Sequence, residues 1–175
     1  MKKLLAAAMI LCLVLCLAAC GDSKQPEPAS QPSGTSEPAA QTPAEKPWAF
    51  TAPNGTDIAL DDDMKDVLAA IGEPQSYFEA ASCAFDGLDK TYTYAGFEIT
   101  TRPDGENDYV NSIVLTDDSV TTPEGLYIGC TPEDVAKVMG EGTEFTGGIG
   151  YFAGGTILDF IVEDGKVVSI EYLKE

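Results

Sequence analysis

From Thr56 onward, apolar positions along the chain follow two periods in turn. The run "DIAL" at 57–60 is short and strand-like, and "DDDMKDVLAAIG" at 61–72 then places Val67, Leu68 and Ile71 on one face at helical spacing. Asp63 stands where a helix needs a cap, Asp66 three residues on completes a start like a capping box, and Gly72 supplies the stop. Further along, "GLYIG" at 125–129 reads as another short strand, after which Thr131 caps a second helix. Pro132 takes its first position, where the missing N–H costs nothing. Asp134 holds the third position, Val135, Val138 and Met139 make the buried face, and Gly140 ends the helix.

After each helix the period falls to two. "SCAFDG", "KTYTYAG", "FEITTRP" and "YVNSIVLT" follow the first, and "GGIGYFAGG", "TILDFIVEDG" and "KVVSIEYL" follow the second, all rich in β-branched and aromatic residues with turn residues between them. The helices also match each other. "KDVLAAIGEP" at 65–74 and "EDVAKVMGEG" at 133–142 share Asp, Val, Gly and Glu in one register, and Val110, Ser112 and Ile113 correspond to Val167, Ser169 and Ile170. Two copies of one unit, the second of them shortened, account for this order. The predicted fold class is therefore α+β: two tandem β-α-β-β-β repeats, 48–120 and 121–175, forming a continuous antiparallel sheet with both helices on one face. The "DG" pairs at Asp104-Gly105 and Asp164-Gly165 suit tight hairpins.

The N-terminus has a different pattern. "MKK" precedes the apolar run "LLAAAMILCLVLCL", too short to span a bilayer, and then "LAAC". Leu17-Ala18-Ala19-Cys20 resembles the lipobox of bacterial lipoproteins, which implies a signal peptide over 1–20, lipidation of the Cys20 thiol, cleavage before it and an anchor on the extracytoplasmic side of the cell membrane. Residues 21–47 hold six of the 11 prolines, with Ser, Ala, Gln and Glu and almost nothing apolar beyond alanine. That composition cannot bury a core and reads as a disordered tether.

Charge narrows the function classes. Eight Lys and Arg face 29 acidic residues after Cys20, a net charge of −21, which argues against nucleic acid, whose phosphates demand cations. It permits a basic protein partner. No histidine is present, so Ser-His and Cys-His nucleophile systems fall away, as do zinc sites that need imidazole. No Gly-x-Ser-x-Gly elbow occurs, and "GGIGYFAGG" lacks the lysine and the strand-to-helix context of a phosphate loop. Asp104, Glu106 and Asp108 alternate as calcium ligands do, but the glycine at loop position six and the closing glutamate are missing. We therefore expect no enzyme, no cofactor and no metal site. Cys83 and Cys130 are even in number outside the cytosol, which leaves open a disulfide or two free thiols.

The binding candidates lie on the strands. Tyr92, Tyr94, Phe97 and Ile99 alternate with Thr91, Thr93, Glu98 and Thr100, so the first set would face the helices as core and the second would form an outer, partner-binding face. Tyr77, Phe78 and Tyr109 are further candidates, on loops. The lipobox, the Pro-rich tether and the paired "DV…G" units, above all "TPEGLYIGCTPEDV", resemble exported lipoproteins whose repeats are similar to β-lactamase inhibitory protein and, more distantly, small outer-membrane assembly lipoproteins of SmpA/OmlA type. That resemblance implies an exposed sheet face that binds other proteins; no inhibitor-loop motif accompanies it. The leading expectation is a membrane-anchored, non-catalytic protein-binding lipoprotein. The alternative is a ligand- or cation-binding lipoprotein accessory to transport or the envelope.

Overall fold

The computed structural model describes residues 46–175; the leader with Cys20, and all of the tether but Lys46 and Pro47, lie outside them. The described elements are β1 (Ala49–Thr51), β2 (Asp57–Ala59), α1 (Met64–Ile71), β3 (Ser76–Ala81), β4 (Leu88–Thr93), β5 (Phe97–Asp104), β6 (Asn107–Leu115), α2 (Pro132–Met139), β7 (Thr143–Phe145), β8 (Gly148–Ala153), β9 (Thr156–Glu163) and β10 (Lys166–Lys174). Strands β1 and β2 form a small antiparallel sheet of their own. The other eight make one antiparallel sheet in the order β3-β4-β5-β6-β10-β9-β8-β7.

This corrects the expected α+β chain of two β-α-β-β-β repeats. The described residues are mostly antiparallel sheet, 48% strand against 12% helix. "DIAL" does contribute β2, but β2 pairs with β1 and never joins the main sheet. "GLYIG" forms no strand: Gly125 and Gly129 take φ of 86° and 106°, which bends the chain at both ends of the segment. Each helix is therefore followed by four main-sheet strands, and the apolar run just before it, "DIAL" or "GLYIG", adds none to that sheet.

Local chemistry explains the other departures. "SCAFDG" is a turn because the Ser82 hydroxyl accepts from the backbone N–H groups of Ala84 and Phe85, at 3.2 and 3.1 Å, and so competes with a ladder. The strand precedes it and contains Tyr77 and Phe78, which are not loop residues. At the β5–β6 hairpin, Asp104 is still paired, with Asn107, so the turn residues are Gly105 and Glu106. Asp164 and Gly165 do form the two-residue turn between β9 and β10, with φ of 49° and 73°, both positive as a type I′ turn requires.

Both helices start as their cap residues dictate. The Asp63 side chain accepts from the Lys65 N–H, and Thr131 and Asp134 exchange the two bonds of a capping box. Met64, Val67 and Val135 insert into the core with Tyr92, Phe97, Ile99, Ile113, Leu158, Phe160, Ile170 and Tyr172. Val138 does not join them; it is 50% exposed, because a helix of eight residues touches the sheet along one narrow stripe. Two tyrosines tie the helix ends to that same face. The Tyr94 hydroxyl donates to the Gly72 carbonyl at 3.0 Å, and the Tyr151 hydroxyl to the Gly140 carbonyl at 2.9 Å. The small sheet packs there as well, through Phe50, whose ring lies 4.8 Å from Phe97 and 6.0 Å from Tyr172. Trp48 joins the entering chain to β8 and β9, donating from Nε1 to the Tyr151 carbonyl and from its backbone N–H to Thr156 Oγ1. All of this material lies on one side, and the other face of the sheet is left open.

Candidate functional site

Cross-strand partners share a face, so the register fixes what the open face presents. One row crosses all eight strands: Ser76, Thr93, Glu98, Val114, Glu171, Asp159, Gly150 and Thr143. Beside it run Phe78, Thr91, Thr100 and Ser112 on β3 to β6, and Leu173, Ile157 and Phe152 on β10 to β8. On the other side of the row lie Ser169, Ile161, Gly148 and Phe145.

The two ends of this face differ chemically. On β4 and β5 the structure brings Thr91, Thr93, Glu98 and Thr100 together, half-buried and locally satisfied. Thr93 donates to Glu98 at 2.9 Å, and Thr100 shares a hydrogen bond of 2.6 Å with Ser112. Phe78 extends that patch at the β3 edge and is 67% exposed. Tyr77 points to the other face, against Tyr92 at 5.1 Å, with its hydroxyl bonded to Glu79. Tyr109 lies under the Arg102 guanidinium at 5.5 Å, and Arg102 also reaches Phe85 and donates to Asp61.

The β8–β10 end was not singled out by the spacing of candidate residues. Ile157, Ile161, Leu173 and Val114 are half-buried there, and Phe145 and Phe152 are exposed. Asp159 and Glu171 sit among them, directly opposite each other. Burial first, and the neighbouring Glu171 second, push the Asp159 carboxyl above the ordinary aspartate range. Gly148 and Gly150 keep the floor low: a Cβ on Gly148 would stand 2.4 Å from the Phe160 carbonyl, and one on Gly150 2.6 Å from Asp159 Oδ1. One signal for this patch is present in the sequence. In "TILDFIVE" both alternating sets carry large apolar residues, Leu158 and Phe160 on one side and Ile157 and Ile161 on the other, the second set interrupted by Asp159.

The disulfide that Cys83 and Cys130 left open does not form; both are free, Cys83 exposed and Cys130 buried. Cys83 lies in the β3–β4 turn at a sheet edge, whereas Cys130 is hydrogen-bonded through its carbonyl to Val167 on β10. Four strand spacings of about 4.8 Å separate β3 from β10, far beyond the ~7 Å limit for bridged Cα atoms. Asp104 and Glu106 fall at the β5–β6 turn, and Asp108 pairs with Lys90. Among the described residues no three Asp, Glu, Cys or His side chains gather as metal ligands would.

No protein-family model matches the chain, and no curated protein does. Two solved structures are similar to it. A DUF4309 family protein (YjgB) from Bacillus subtilis aligns over 65% of this chain and 79% of its own, at 20% identity and a TM-score of 0.41. An extracellular protein containing a SCP domain from Bacillus anthracis aligns over 66% of this chain and 44% of its own, at 16% identity and a TM-score of 0.40. Neither likeness is close enough to lend this chain a function.

Proposed function

We propose that this protein is a lipid-anchored, extracytoplasmic, non-catalytic module that holds a protein partner against the open face of its sheet. One observation carries the reading: a row of side chains from Ser76 to Thr143 crosses eight strands on the face opposite both helices, the small sheet and the entering Trp48. An antiparallel sheet commonly solvates one face, but a solvated face alternates apolar-in with polar-out, as β5 does. Half-buried Ile157 and Ile161 on β9 and Leu173 on β10 break that rule, and with the exposed Phe145 and Phe152 they form an apolar patch of the kind that marks interaction sites. The leader and the lipobox-like Leu17-Ala18-Ala19-Cys20 support the address. No helix among the described residues is long and apolar enough to cross a membrane.

Site-specific photo-crosslinking of the full chain in its producing cells tests this. A benzophenone side chain at Thr100 or Leu173 is expected to give a discrete protein adduct, and one at Ala136, on the exposed side of α2, is expected to give none. Equal adducts from all three positions, or none from any, would overturn the reading. Metabolic labelling with a radioactive fatty acid is expected to mark the parent chain and not Cys20→Ala.

A further inference from the structure

We infer that the partner presents a lysine or arginine flanked by apolar side chains, with its cation seated between Asp159 and Glu171. This rests on the reading of the open face as a protein-binding surface and names the chemistry it would select.

The two carboxylates oppose each other across β9 and β10, an arrangement that is unfavourable for like charges. No cation among the described residues relieves it. The ion pairs among the described residues join Lys90 to Asp108, and Arg102 and Lys174 to Asp61. Glu171 accepts a 2.9 Å bond from the Ser169 hydroxyl, and no hydrogen bond from the described residues reaches the Asp159 carboxylate. Glu98, two places further along the row, is the next carboxylate, and Val114 separates it from the pair. The surroundings of the pair are mostly apolar: Ile157 and Ile161 flank Asp159, and Leu173 flanks Glu171 on one side with Ser169 on the other. Gly150 leaves the far side of Asp159 without a side chain, and the Phe145 ring walls that recess over Gly148.

Charge selects the occupant. A second copy of a chain carrying −19 would bring carboxylates to carboxylates. A bare divalent ion would find two carboxylates where it needs more oxygen ligands. A cationic side chain set among apolar neighbours satisfies both halves of the site: the charge converts the repulsion into two attractions, and the flanking groups cover Ile157, Ile161, Leu173 and Phe152. The acidic surface steers such a partner inward.

The test uses the full chain in a non-ionic detergent and a fluorescent Val-Lys-Val-Arg-Val-Lys-Val peptide, read by anisotropy. Ser-Lys-Ser-Arg-Ser-Lys-Ser and Val-Glu-Val-Glu-Val-Glu-Val serve as comparison probes. The first peptide is expected to bind, the serine version at least about tenfold more weakly, and the acidic one not at all. Asp159→Asn and Glu171→Gln are each expected to weaken the first peptide by about tenfold, with Glu133→Gln on α2 without effect. Thermal melts establish that the variants are folded. Binding indifferent to Asp159→Asn and Glu171→Gln, binding equally reduced by Glu133→Gln, or displacement of the peptide by stoichiometric calcium chloride would each overturn the inference. If crosslinking from Thr100 and Leu173 persists in the Asp159→Asn, Glu171→Gln double variant, the cation seat falls while the protein-binding face stands. If the parent gives no crosslinks at those positions, the face itself falls.

Discussion

Asp159 and Glu171 face each other across β9 and β10 on the open side of the sheet, and no cation among the described residues pairs with either. The folded state therefore holds the Asp159 proton more tightly than the unfolded chain does, through burial and then through Glu171. A carboxyl raised in this way contributes stability that is full below its unfolded value, near pH 4, and is lost as pH rises through the folded value. Asp159→Asn is accordingly expected to be more stable than the parent at pH 7, by roughly 0.2–1 kcal/mol, the scale of cross-strand pairs. Urea unfolding at a series of pH values checks this; the advantage should shrink towards pH 4.

Asp61 behaves in the opposite sense. Burial works to raise its carboxyl, but hydrogen bonds from Lys174 and Arg102 outweigh it and hold the carboxyl below the ordinary range. Its contribution is present above the unfolded value and is lost as pH falls through the folded one. Asp61 also sits at a φ of 68°, which asparagine tolerates. Asp61→Asn should lower the urea midpoint at neutral pH and reduce the loss of stability below about pH 4.

The two tyrosine bonds to the helix ends should carry independent, similar amounts. Tyr94→Phe and Tyr151→Phe keep the rings and remove the donors to Gly72 and Gly140, at a cost of about 0.5–1.5 kcal/mol each. The sites lie just past the end of β4 and on β8, strands five spacings apart, so the double variant should lose the sum to within about 0.5 kcal/mol. Denaturant melts of the four proteins measure both quantities.

Glycine substitutions on β8 should divide by what the new Cβ meets. Gly148→Ala drives a Cβ to 2.4 Å from the Phe160 carbonyl, which is sheet backbone and cannot yield, so a loss of about 1–3 kcal/mol is expected. Gly150→Ala meets the movable Asp159 side chain at 2.6 Å and should cost less. Thermal unfolding gives the ranking; a reversed order would contradict the packing described.

Thiol labelling distinguishes the cysteines. Cys83 is exposed and Cys130 is only 3% exposed, so a thiol reagent should modify Cys83 in the folded protein and Cys130 only after denaturation. Failure of either thiol to react in denaturant without a reductant would indicate a bridge.

The local chemistry written along the chain determined the helix ends, most of the strands and which side of β4 and β5 turns inward. Asp63, Gly72, Thr131, Pro132 and Gly140 act within a few residues of themselves, and the alternation of Tyr92 and Ile99 with Thr91 and Thr100 needs no distant partner. Where a short segment pairs was decided by tertiary structure. β2 and "GLYIG" look alike as apolar runs, yet one finds β1 and the other folds into turns, because the ladder partners that make a strand lie far away in sequence. The β8–β10 patch has the same origin. "TILDFIVE" shows apolar residues on both faces, but only the pairing of β9 with β10 sets Asp159 opposite Glu171, and only the crowding of both helices and the small sheet onto the other side leaves that pair on the open face. Periodicity is a property of neighbours along the chain; juxtaposition across strands depends on contacts between residues distant in it, and those are formed only when the sheet is.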